Sequence, residues 1–476
     1  MLPVSVRNRV KGAKMRWRFA QAMLIVLPWQ GTPTAPAGDT VPPSRVARIS
    51  YLSGDVSFQA SGASDWSQAT LNYSVTNGDR LLTTAGGRAE LEVGSLAARL
   101  AEGTDVTVAT LDDHFTQFGL SQGALRVSVL QLLPADSVEV DTPNGAITIL
   151  TAGKYRVDVL PNDGGTFVRI DEGNAEISGP GISQQLRAPS TVKLMGTDPI
   201  QLVNVARSGP DGFDQFSADR DRRIASPASL QYVSRDMPGV ADLDESGRWQ
   251  ADAVYGPVWY PVGVQAGWVP YRFGHWVWVE PWGWIWVDDE PWGFAPFHYG
   301  RWIHARSGWG WIPGPIVPRP YYAPALVAFV DGSHFSVGIG VQAWFPLGPR
   351  EPFFPWYHHD DRYLRGVNAT NLRGVTDIDA VIHVSNIETI QYANRGVGIT
   401  AVSGAAFRGG EPVGRQILRV RAEDIARAPI APHPSVVPDA RSALGGRPAV
   451  RPPGITPRIE SRSHGGSPVS NSHATG

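Results

Sequence analysis

The chain has 476 residues, a formal net charge of −2, 18% charged residues and no cysteine. The near-zero charge argues against a protein that works mainly by coating nucleic acid. The lack of cysteine excludes disulfides, cysteine-ligated zinc and iron–sulfur sites, and thiol nucleophiles. The hydrophobic content of 42% suffices for a folded core, while 52 glycines and 40 prolines favour strands and turns over long helices. This length indicates two or three domains.

Residues 1–37 have the order of a secretory signal peptide. The first 18 residues carry six basic side chains and no acidic one, an apolar stretch of 11 residues follows, and Ala35 and Ala37 give a small-x-small cleavage pattern. Because a membrane span needs roughly 20 apolar residues, no stable transmembrane span is expected. We predict a bacterial protein that is periplasmic or secreted, with translation starting at Met1 or Met15. A short buried helix is the alternative.

Between residues 45 and 200, apolar and polar residues alternate in short runs. The clearest runs are Leu125–Val129, Val138–Asp141, Tyr155–Val159 and Val168–Asp171. Alternation places apolar side chains on one face of each strand. Turn residues separate the runs, and helical periodicity is absent, so the segment predicts an antiparallel sandwich or barrel-like β domain.

Ordered motifs in this segment also resemble a known family. They are Gly54-Asp55-Val56, Trp66, Gly78-Asp79-Arg80-Leu81, Arg88-Ala89-Glu90-Leu91, Gly123-Ala124-Leu125-Arg126-Val127, Thr142-Pro143, Tyr155-Arg156-Val157 and Glu172-Gly173. The set is similar to the periplasmic FecR domain, which implies a β fold and a periplasmic location. Proteins of that family are typically membrane regulators with a cytoplasmic anti-sigma segment. Only 18 residues precede the apolar stretch here, so we do not carry sigma-factor regulation over.

Two motifs with catalytic or metal-binding chemistry lack the context that they need. Gly119–Gly123 matches G-x-S-x-G, but a nucleophile elbow is followed by a helix, whereas the alternating run Ala124–Val129 follows here. His358–Asp361 offers ligand atoms, but adjacent residues in an extended loop rarely converge on one ion, so a solvated turn is expected. We therefore predict a protein that is not an enzyme and uses no cofactor or metal.

Residues 201–248 are predicted to be a linker with one short helix. Asp211 can cap a helix that continues through Arg223, with acidic residues at its start and basic residues at its end. The run Asp242–Gly247 opens like an EF-hand loop, but Ala253 occupies the position of the bidentate glutamate. This run is therefore predicted to be a turn.

The segment 249–428 is dominated by tryptophan in its first part. Twelve of the 17 tryptophans lie between Trp249 and Trp311, and residues 268–276 match residues 294–302 at an offset of 26. Short aromatic strands separated by Pro-Trp-Gly turns at such periods predict repeated β-hairpins.

The tryptophans have two interpretations. In a small β module without disulfides they can form the core, because each indole buries a large area and packs on proline or other rings. Alternatively, they form an exposed platform that stacks on the sugar rings of peptidoglycan or another envelope glycan. The residues of such a platform would be Trp276, Trp278, Trp284, Trp286, Trp302, Trp309, Trp311, His275 and Arg301. The export signal argues against nucleic acid as a partner.

This segment also resembles a second family. The distinctive strings are Tyr255–Pro261, Gly274–Trp276, Glu290–Trp302, Tyr321–Val327 and Trp344–Glu351. They are similar to a module of unknown function that follows FecR domains in exported bacterial proteins. No activity comes with this resemblance.

The C-terminal part gives weaker patterns. Strands are predicted at Val327–Val330 and Phe335–Val341, a hairpin region at 402–414, and packing of the Pro/aromatic run Trp344–Tyr357 on the tryptophan-rich segment. Residues 429–476 are rich in Pro, Gly, Ser and Arg, which predicts a disordered tail.

Together these patterns predict a mainly β protein: an antiparallel FecR-like domain, a short helical linker, a Trp-rich β-hairpin module and a disordered tail. The function expected is that of a non-enzymatic exported envelope protein with a binding or scaffold role, contacting a glycan through the Trp-rich module. The alternative hypothesis is a FecR-like periplasmic sensor or relay that acts through a membrane or envelope protein.

Overall fold

A computed structural model describes residues 41–160, 164–337, 340–369, 371, 372, 375, 377–384 and 386–452. The predicted signal peptide, 1–37, and the end of the predicted tail, 453–476, lie outside the described residues. The described chain is mainly β with short helices, as the sequence predicts.

The alternating segment folds into strands. Among the described residues its strands are β1 (Ala47–Ser53), β2 (Val56–Gln59), β3 (Ser67–Gln68), β4 (Ser74–Val75), β5 (Arg80–Thr83), β6 (Arg88–Val93), β7 (Leu96–Leu100), β8 (Asp105–Leu111), β9 (Phe115–Val129), β10 (Ser137–Thr142), β11 (Gly145–Ile149), β12 (Gly153–Leu160), β13 (Gly165–Glu172), β14 (Asn174–Gly179), β15 (Ile182–Arg187), β16 (Ser190–Met195) and β17 (Gln201–Asn204). The four runs predicted from alternation lie in β9, β10, β12 and β13, so this prediction is confirmed.

Two sheets share the long strand β9. The first has the order β4–β1–β6–β7–β9–β12–β13–β16–β17. The second has the order β3–β2–β5–β8–β9–β10–β11–β14–β15. The described pairs are antiparallel, except that β9 and β10 run parallel. Apolar side chains of both sheets join in one core cluster, which defines a β-sandwich.

Strand β9 changes sheets at Gly123. This glycine has a φ of +87°, and a Cβ there would lie 2.5 Å from the Cα of Thr104. Only glycine avoids both the strain and the clash. The G-x-S-x-G match therefore lies inside a strand, with Ser121 exposed and no helix after it. Gly123, the last glycine of the motif, allows the strand to bend between the two sheets.

Two helices follow the sandwich. Helix α1 (Gly212–Ala225) begins with the predicted cap: Asp211 accepts hydrogen bonds from the backbone of Phe213 and Asp214. Helix α2 (Val240–Ser246) replaces the turn predicted at 242–247, which is a correction. The reason is a tertiary contact. Asp242 is buried, and its carboxylate forms an ion pair of 2.5 Å with Arg48 of β1 instead of capping a surface turn.

Helix α1 covers a row of like charges on the first sheet. Arg99, Arg126, Arg156 and Arg169 are direct neighbours across β7, β9, β12 and β13. Like charges opposite one another destabilise a sheet, so this arrangement requires counter-charges. The helix supplies them. Asp214 Oδ1 lies 2.7 Å from Arg126 and also pairs with Arg169, Asp214 Oδ2 lies 3.1 Å from Arg156, and Asp221 lies 2.6 Å from Arg99.

We expect this layer to make the fold acid-sensitive. Burial alone would raise the pKa of Asp214, but hydrogen bonds from Arg169 and the Asp211 backbone, with the charges of Arg156 and Arg169, lower it to about 2. A depressed pKa means that the stabilisation is complete above the unfolded-state value near 4 and is lost as the pH falls towards 2. Urea unfolding curves recorded between about pH 5 and about pH 2 should show this decline in the free energy of unfolding.

Asp214→Asn tests the same layer at neutral pH. Removing one partner of a buried ion network should lower the free energy of unfolding by about 3–5 kcal/mol and flatten the acid dependence. The matched control is Asp219→Asn, because among the described residues Asp219 forms an ion pair with the exposed Arg222 of the same helix alone. Equal effects of the two substitutions would contradict the role given to the layer.

The tryptophan-rich segment forms three small sheets. Its described strands are β18 (Gly247–Asp252), β19 (Gly256–Pro261), β20 (Gly274–Val279), β21 (Gly283–Asp288), β22 (Arg301–Ala305), β23 (Gly308–Ile312), β24 (Val327–Asp331), β25 (Val341–Pro346), β26 (Thr400–Ser403) and β27 (Ile430–Ala431). The sheet orders are β18–β19–β23–β22, β20–β21 and β26–β25–β24–β27. The predicted repeat is confirmed as the hairpins β20–β21 and β22–β23.

Short helices connect these strands. Among the described residues they are α3 (Ala295–His298), α4 (Asp361–Ala369), α5 (Ile378–Ile382), α6 (Gly404–Arg408), α7 (Ala422–Arg427) and α8 (Ala440–Leu444), with 3-10 turns at Ala228–Gln231, Gly332–His334, Ile387–Thr389 and Val413–Arg415. No helix in the described part of the chain is long and apolar enough to cross a membrane.

Two strand predictions in this half need correction. Of the strand expected at Phe335–Val341, the described residues 335–337 and 340 are not strand, and β25 begins at Val341. Asp331 caps the 3-10 turn Gly332–His334 that comes immediately before Phe335. The hairpin region expected at 402–414 is the strand β26 followed by helix α6. There the hydroxyl of Ser403 accepts a hydrogen bond from the Ala406 backbone and starts the helix.

The folded part extends beyond residue 428, where the tail was expected to begin. Strand β27 pairs with β24, and helix α8 packs on β20. The backbone N–H of Val450 donates to the carbonyl of Trp66 at 2.6 Å. Residues 429–452 therefore belong to the packed structure, because a few apolar groups such as Val436 and the backbone of this segment find partners there.

The sandwich and the tryptophan-rich half share one core cluster. Polar contacts connect them as well: the amide of Asn72 donates to the carbonyls of Asp288 and Glu290 at 3.1 and 2.7 Å, and Arg48 donates to the carbonyl of Pro291 at 3.1 Å. The hydroxyls of Ser74 and Tyr322 lie 2.7 Å apart. Segments that look like separate domains in the sequence are thus packed against each other.

We expect these two halves to unfold together. Tryptophan fluorescence reports mainly on residues 249–311, whereas far-ultraviolet circular dichroism reports on all strands, so the two urea curves should coincide. Asn72→Ala should lower the midpoint, because it removes a hydrogen-bond partner of the buried Arg48 guanidinium and of the carbonyls of Asp288 and Glu290. Asn204→Ala on the exposed β17 should not lower it. Two separate transitions in the unsubstituted protein would contradict a shared core.

Candidate functional site

Most of the residues predicted for an exposed platform are buried. Eight of the nine are fully packed, namely Trp276, Trp284, Trp286, Trp302, Trp309, Trp311, His275 and Arg301, and Trp278 is half-buried. The expectation of a broad exposed platform therefore needs correction. The physical reason is that neighbouring elements cover both faces of the hairpin β20–β21, so that even the alternate positions of its strands are enclosed.

The buried rings form a connected aromatic core. Trp276 lies 5.4 Å from Trp286, 5.3 Å from Trp344 and 5.2 Å from Phe407, measured between ring centroids. Several buried indole N–H groups find carbonyl acceptors in the backbone. Trp302 donates to Pro296, Trp311 to Tyr299, Trp259 to Leu243 and Trp344 to Tyr271, at 2.8–3.0 Å. Nε1 of Trp276, in contrast, has no acceptor among the described residues. These indoles thus serve packing.

The two polar residues of the predicted platform are also structural. Arg301 is 1% exposed and donates to the carbonyls of Glu351 and Gly300 at 3.1 and 2.9 Å. Burial lowers its pKa to about 10. Burial likewise lowers the pKa of His275 to about 3, with a smaller effect from the charge of Arg447, so this imidazole is neutral at physiological pH. Neither side chain is available to a ligand.

A cavity of about 370 Å³ lies beside the turn between β20 and β21. Three segments that are distant in sequence line it: the hairpin turn, the run 356–358 and the run 433–438. The lining residues are Trp278, Pro281, Trp282, Gly283, Trp284, Trp356, Tyr357, His358, His433, Pro434, Ser435, Val436, Val437 and Pro438. We call this the aromatic cavity. Of the predicted platform residues, Trp278 and Trp284 line it.

The Pro-Trp-Gly turn sets the shape of the aromatic cavity. Trp278 and Trp284 are directly paired across the hairpin, with ring centroids 5.5 Å apart and planes at 84°. Gly283 has a φ of +73°, and a Cβ there would lie 3.0 Å from the Trp278 ring. The glycine therefore allows the indole of Trp278 to lie across the turn.

Hydrogen bonds fix the walls of the aromatic cavity. Trp278 Nε1 donates to the carboxylate of Glu280 at 2.9 Å, and Trp284 Nε1 donates to the carbonyl of Val436 at 3.3 Å. The segment 433–438 is held further by Gln342, whose Oε1 accepts from the Ser435 backbone at 3.0 Å. The polar groups at the cavity include the side chains of His358 and His433.

Sequence reasoning missed much of the aromatic cavity. It did not single out Trp282, Trp356 or the segment 433–438, which it assigned to the tail. One available signal was the expected packing of Trp344–Tyr357 on the tryptophan-rich segment, and Trp356 and Tyr357 do line the cavity.

The run His358–Asp361 has a structural role at the start of α4. The carboxylate of Asp360 accepts from the backbone of Tyr363 at 2.7 Å, and His359 contacts the carbonyl of Tyr357 at 2.8 Å. Within the described ranges, no group of three or more His, Cys, Asp or Glu residues is arranged to hold a metal ion.

Comparisons with known proteins give one family match and solved structures of low similarity. Residues 240–351 match a family of unknown function, DUF6600. Two crystal structures described as a "putative anti-sigma factor" from Parabacteroides distasonis are similar to this chain at 12% and 11% identity. Each match covers 39% of this chain and 99% of the other, with a TM-score of 0.24. No curated protein matches. The family match includes the hairpin that supplies Trp278 and Trp284.

We expect Trp278 to account for much of the quencher-accessible tryptophan fluorescence, because most other described indoles are buried. Trp278→Phe should therefore reduce the fraction quenched by acrylamide, whereas Trp302→Phe should leave it nearly unchanged. Each variant is compared with the unsubstituted chain, so that tryptophans outside the described ranges contribute equally to the quenched fluorescence of both. A large accessible fraction that persists in Trp278→Phe would contradict this arrangement.

Proposed function

We propose that this is a non-enzymatic, exported bacterial envelope protein that binds a glycan, with peptidoglycan as the expected ligand, in the aromatic cavity. The observation that carries the proposal is the pair of perpendicular indoles, Trp278 and Trp284, in the wall of a cavity of about 370 Å³. Ligand sites are commonly concave, largely apolar and of roughly 300–1,000 Å³.

The chemistry of the lining suits a sugar. The flat apolar faces of sugar rings stack on indole rings, and Trp278 presents the half-buried ring of the pair. Sugar hydroxyls need a few fixed donors and acceptors, and Glu280, His358 and His433 supply such groups at or near the cavity. Trp278 itself is oriented by its bond to Glu280, so that its ring is preorganised.

The envelope location rests on the sequence. The order of basic, apolar and small residues in 1–37 supports export. The resemblance to the FecR domain supports a periplasmic site of action. In that compartment, peptidoglycan is the abundant glycan.

Substitution of Trp278 tests the glycan site. Trp278→Ala should weaken retention on purified peptidoglycan and the affinity for soluble fragments of it by about tenfold, or ~1.4 kcal/mol, because the stacking surface is lost. Tyr255→Ala is the matched control, since Tyr255 is an exposed aromatic residue outside the cavity. Failure of the unsubstituted protein to bind, or equal binding by Trp278→Ala, would refute the proposal.

A second candidate function is the relay of a periplasmic signal through a membrane or envelope protein. Besides the FecR resemblance, the edge strands β15 and β17 favour it, because each of them pairs on one side only within the described structure. Such an edge can accept a strand from a partner.

Crosslinking distinguishes this second candidate. A photoreactive residue at Val203, which is exposed on β17, should capture a specific envelope protein in cells. The same group at the exposed Val254, in the turn between β18 and β19, is the control. Absence of a product specific to Val203 would count against partner binding at this edge.

A further inference from the structure

An extended surface segment beside β26 carries an unusual pattern of exposed residues. The backbone N–H of Leu418 donates to the carbonyl of Ala401 at 2.8 Å, which holds the segment against the sheet. Leu418 and Val420 pack on the core cluster of this sheet. Four residues before, between and after these two are exposed. They are Arg415, Ile417, Arg419 and Arg421, which we call the arginine stripe.

The three guanidinium groups of the arginine stripe lack close counter-charges. In the described part of the chain, no carboxylate lies within the 4.0 Å that defines an ion pair with any of them. Of the nearby acids, Glu411 accepts from Gln416, and Asp424 accepts from the hydroxyl and backbone of Ser336. Arg421 and Arg415 interact with Asp424 and Asp289 only through longer-range electrostatics. This differs from the buried arginines of the sandwich, which are paired with carboxylates.

The exposed guanidinium groups can engage more than one phosphate. Arg419 and Arg421 alternate with the packed Leu418 and Val420, so at a rise of about 3.3 Å per residue they lie on one face roughly 7 Å apart. Arg415 precedes them at the end of the 3-10 turn Val413–Arg415. Neighbouring phosphates of an anionic surface can accept forked hydrogen bonds from these groups.

Ile417 decides between two kinds of anionic partner. Its side chain is 38% exposed and lies between two arginines. Binding to a soluble polyanion does not bury an apolar side chain. Binding to a lipid surface does bury it, because the acyl chains lie directly beneath the phosphate layer.

We propose that the arginine stripe is a peripheral docking site for an anionic lipid surface, independent of the aromatic cavity. The arginines contact lipid phosphates, and Ile417 enters the boundary between headgroups and acyl chains. Since electrostatic attraction contributes most of the binding, high salt weakens it.

Vesicle flotation of the full chain tests this proposal. Vesicles with about one-third phosphatidylglycerol should bind the protein at low salt, and vesicles of phosphatidylcholine alone should not. The triple variant Arg415→Gln, Arg419→Gln and Arg421→Gln should bind the anionic vesicles about 100-fold more weakly. The matched control removes three positive charges elsewhere. It is Arg187→Gln, Arg248→Gln and Arg306→Gln, at exposed positions without an ion pair in the described structure. It should bind like the unsubstituted protein.

Ile417→Ser separates a membrane from a soluble polyanion. On a lipid surface we expect binding to weaken by about fivefold. Unchanged vesicle binding by Ile417→Ser, together with equally tight binding of inorganic polyphosphate, would assign the stripe to soluble polyanions and overturn the proposal. An equal loss of vesicle binding in the control variant would show attraction by net charge alone, and would overturn it as well.

Discussion

The packing of large indole rings between short hairpins is the constraint on which the C-terminal half depends. A ring such as Trp276 can be enclosed only if several elements surround it, and here β21, β25 and α6 supply Trp286, Trp344 and Phe407. Several buried indoles, such as Trp302 and Trp311, also place their N–H group opposite a carbonyl. These two requirements fix how the hairpins lie, and they leave Trp278 at the edge of the aromatic core, where its half-buried ring borders a cavity.

In the sandwich, the corresponding constraint is electrostatic. Four neighbouring arginines on one face of a sheet are tolerable only under a layer of carboxylates, which explains why α1 begins with Asp211 and places Asp214 and Asp221 inward. The same face continues to Arg48, whose guanidinium contacts Glu92, Asp242 and the tryptophan-rich half. The charge layer therefore helps to join the two halves.

The proposed binding functions use different physics at different places. The aromatic cavity depends on preorganised rings with a few polar groups, so its affinity would be largely insensitive to salt. The arginine stripe depends on unpaired charges around one apolar side chain, so its binding would fall as salt rises. The two proposed sites would therefore allow one protein to bind a glycan and an anionic lipid surface at the same time.

The sequence by itself determined the strands of the sandwich, the cap of α1 and the repeated hairpins, because alternation, capping residues and internal repeats act over a few neighbouring residues. Only the tertiary structure decided that the indoles are core rather than platform, since a period-two pattern shows which residues share a face but not whether that face is covered. It also decided the helix at Val240–Ser246 and the packing of residues 429–452. Those depend on partners far away in the chain: Arg48 for Asp242, and Trp66 and β24 for the C-terminal segment.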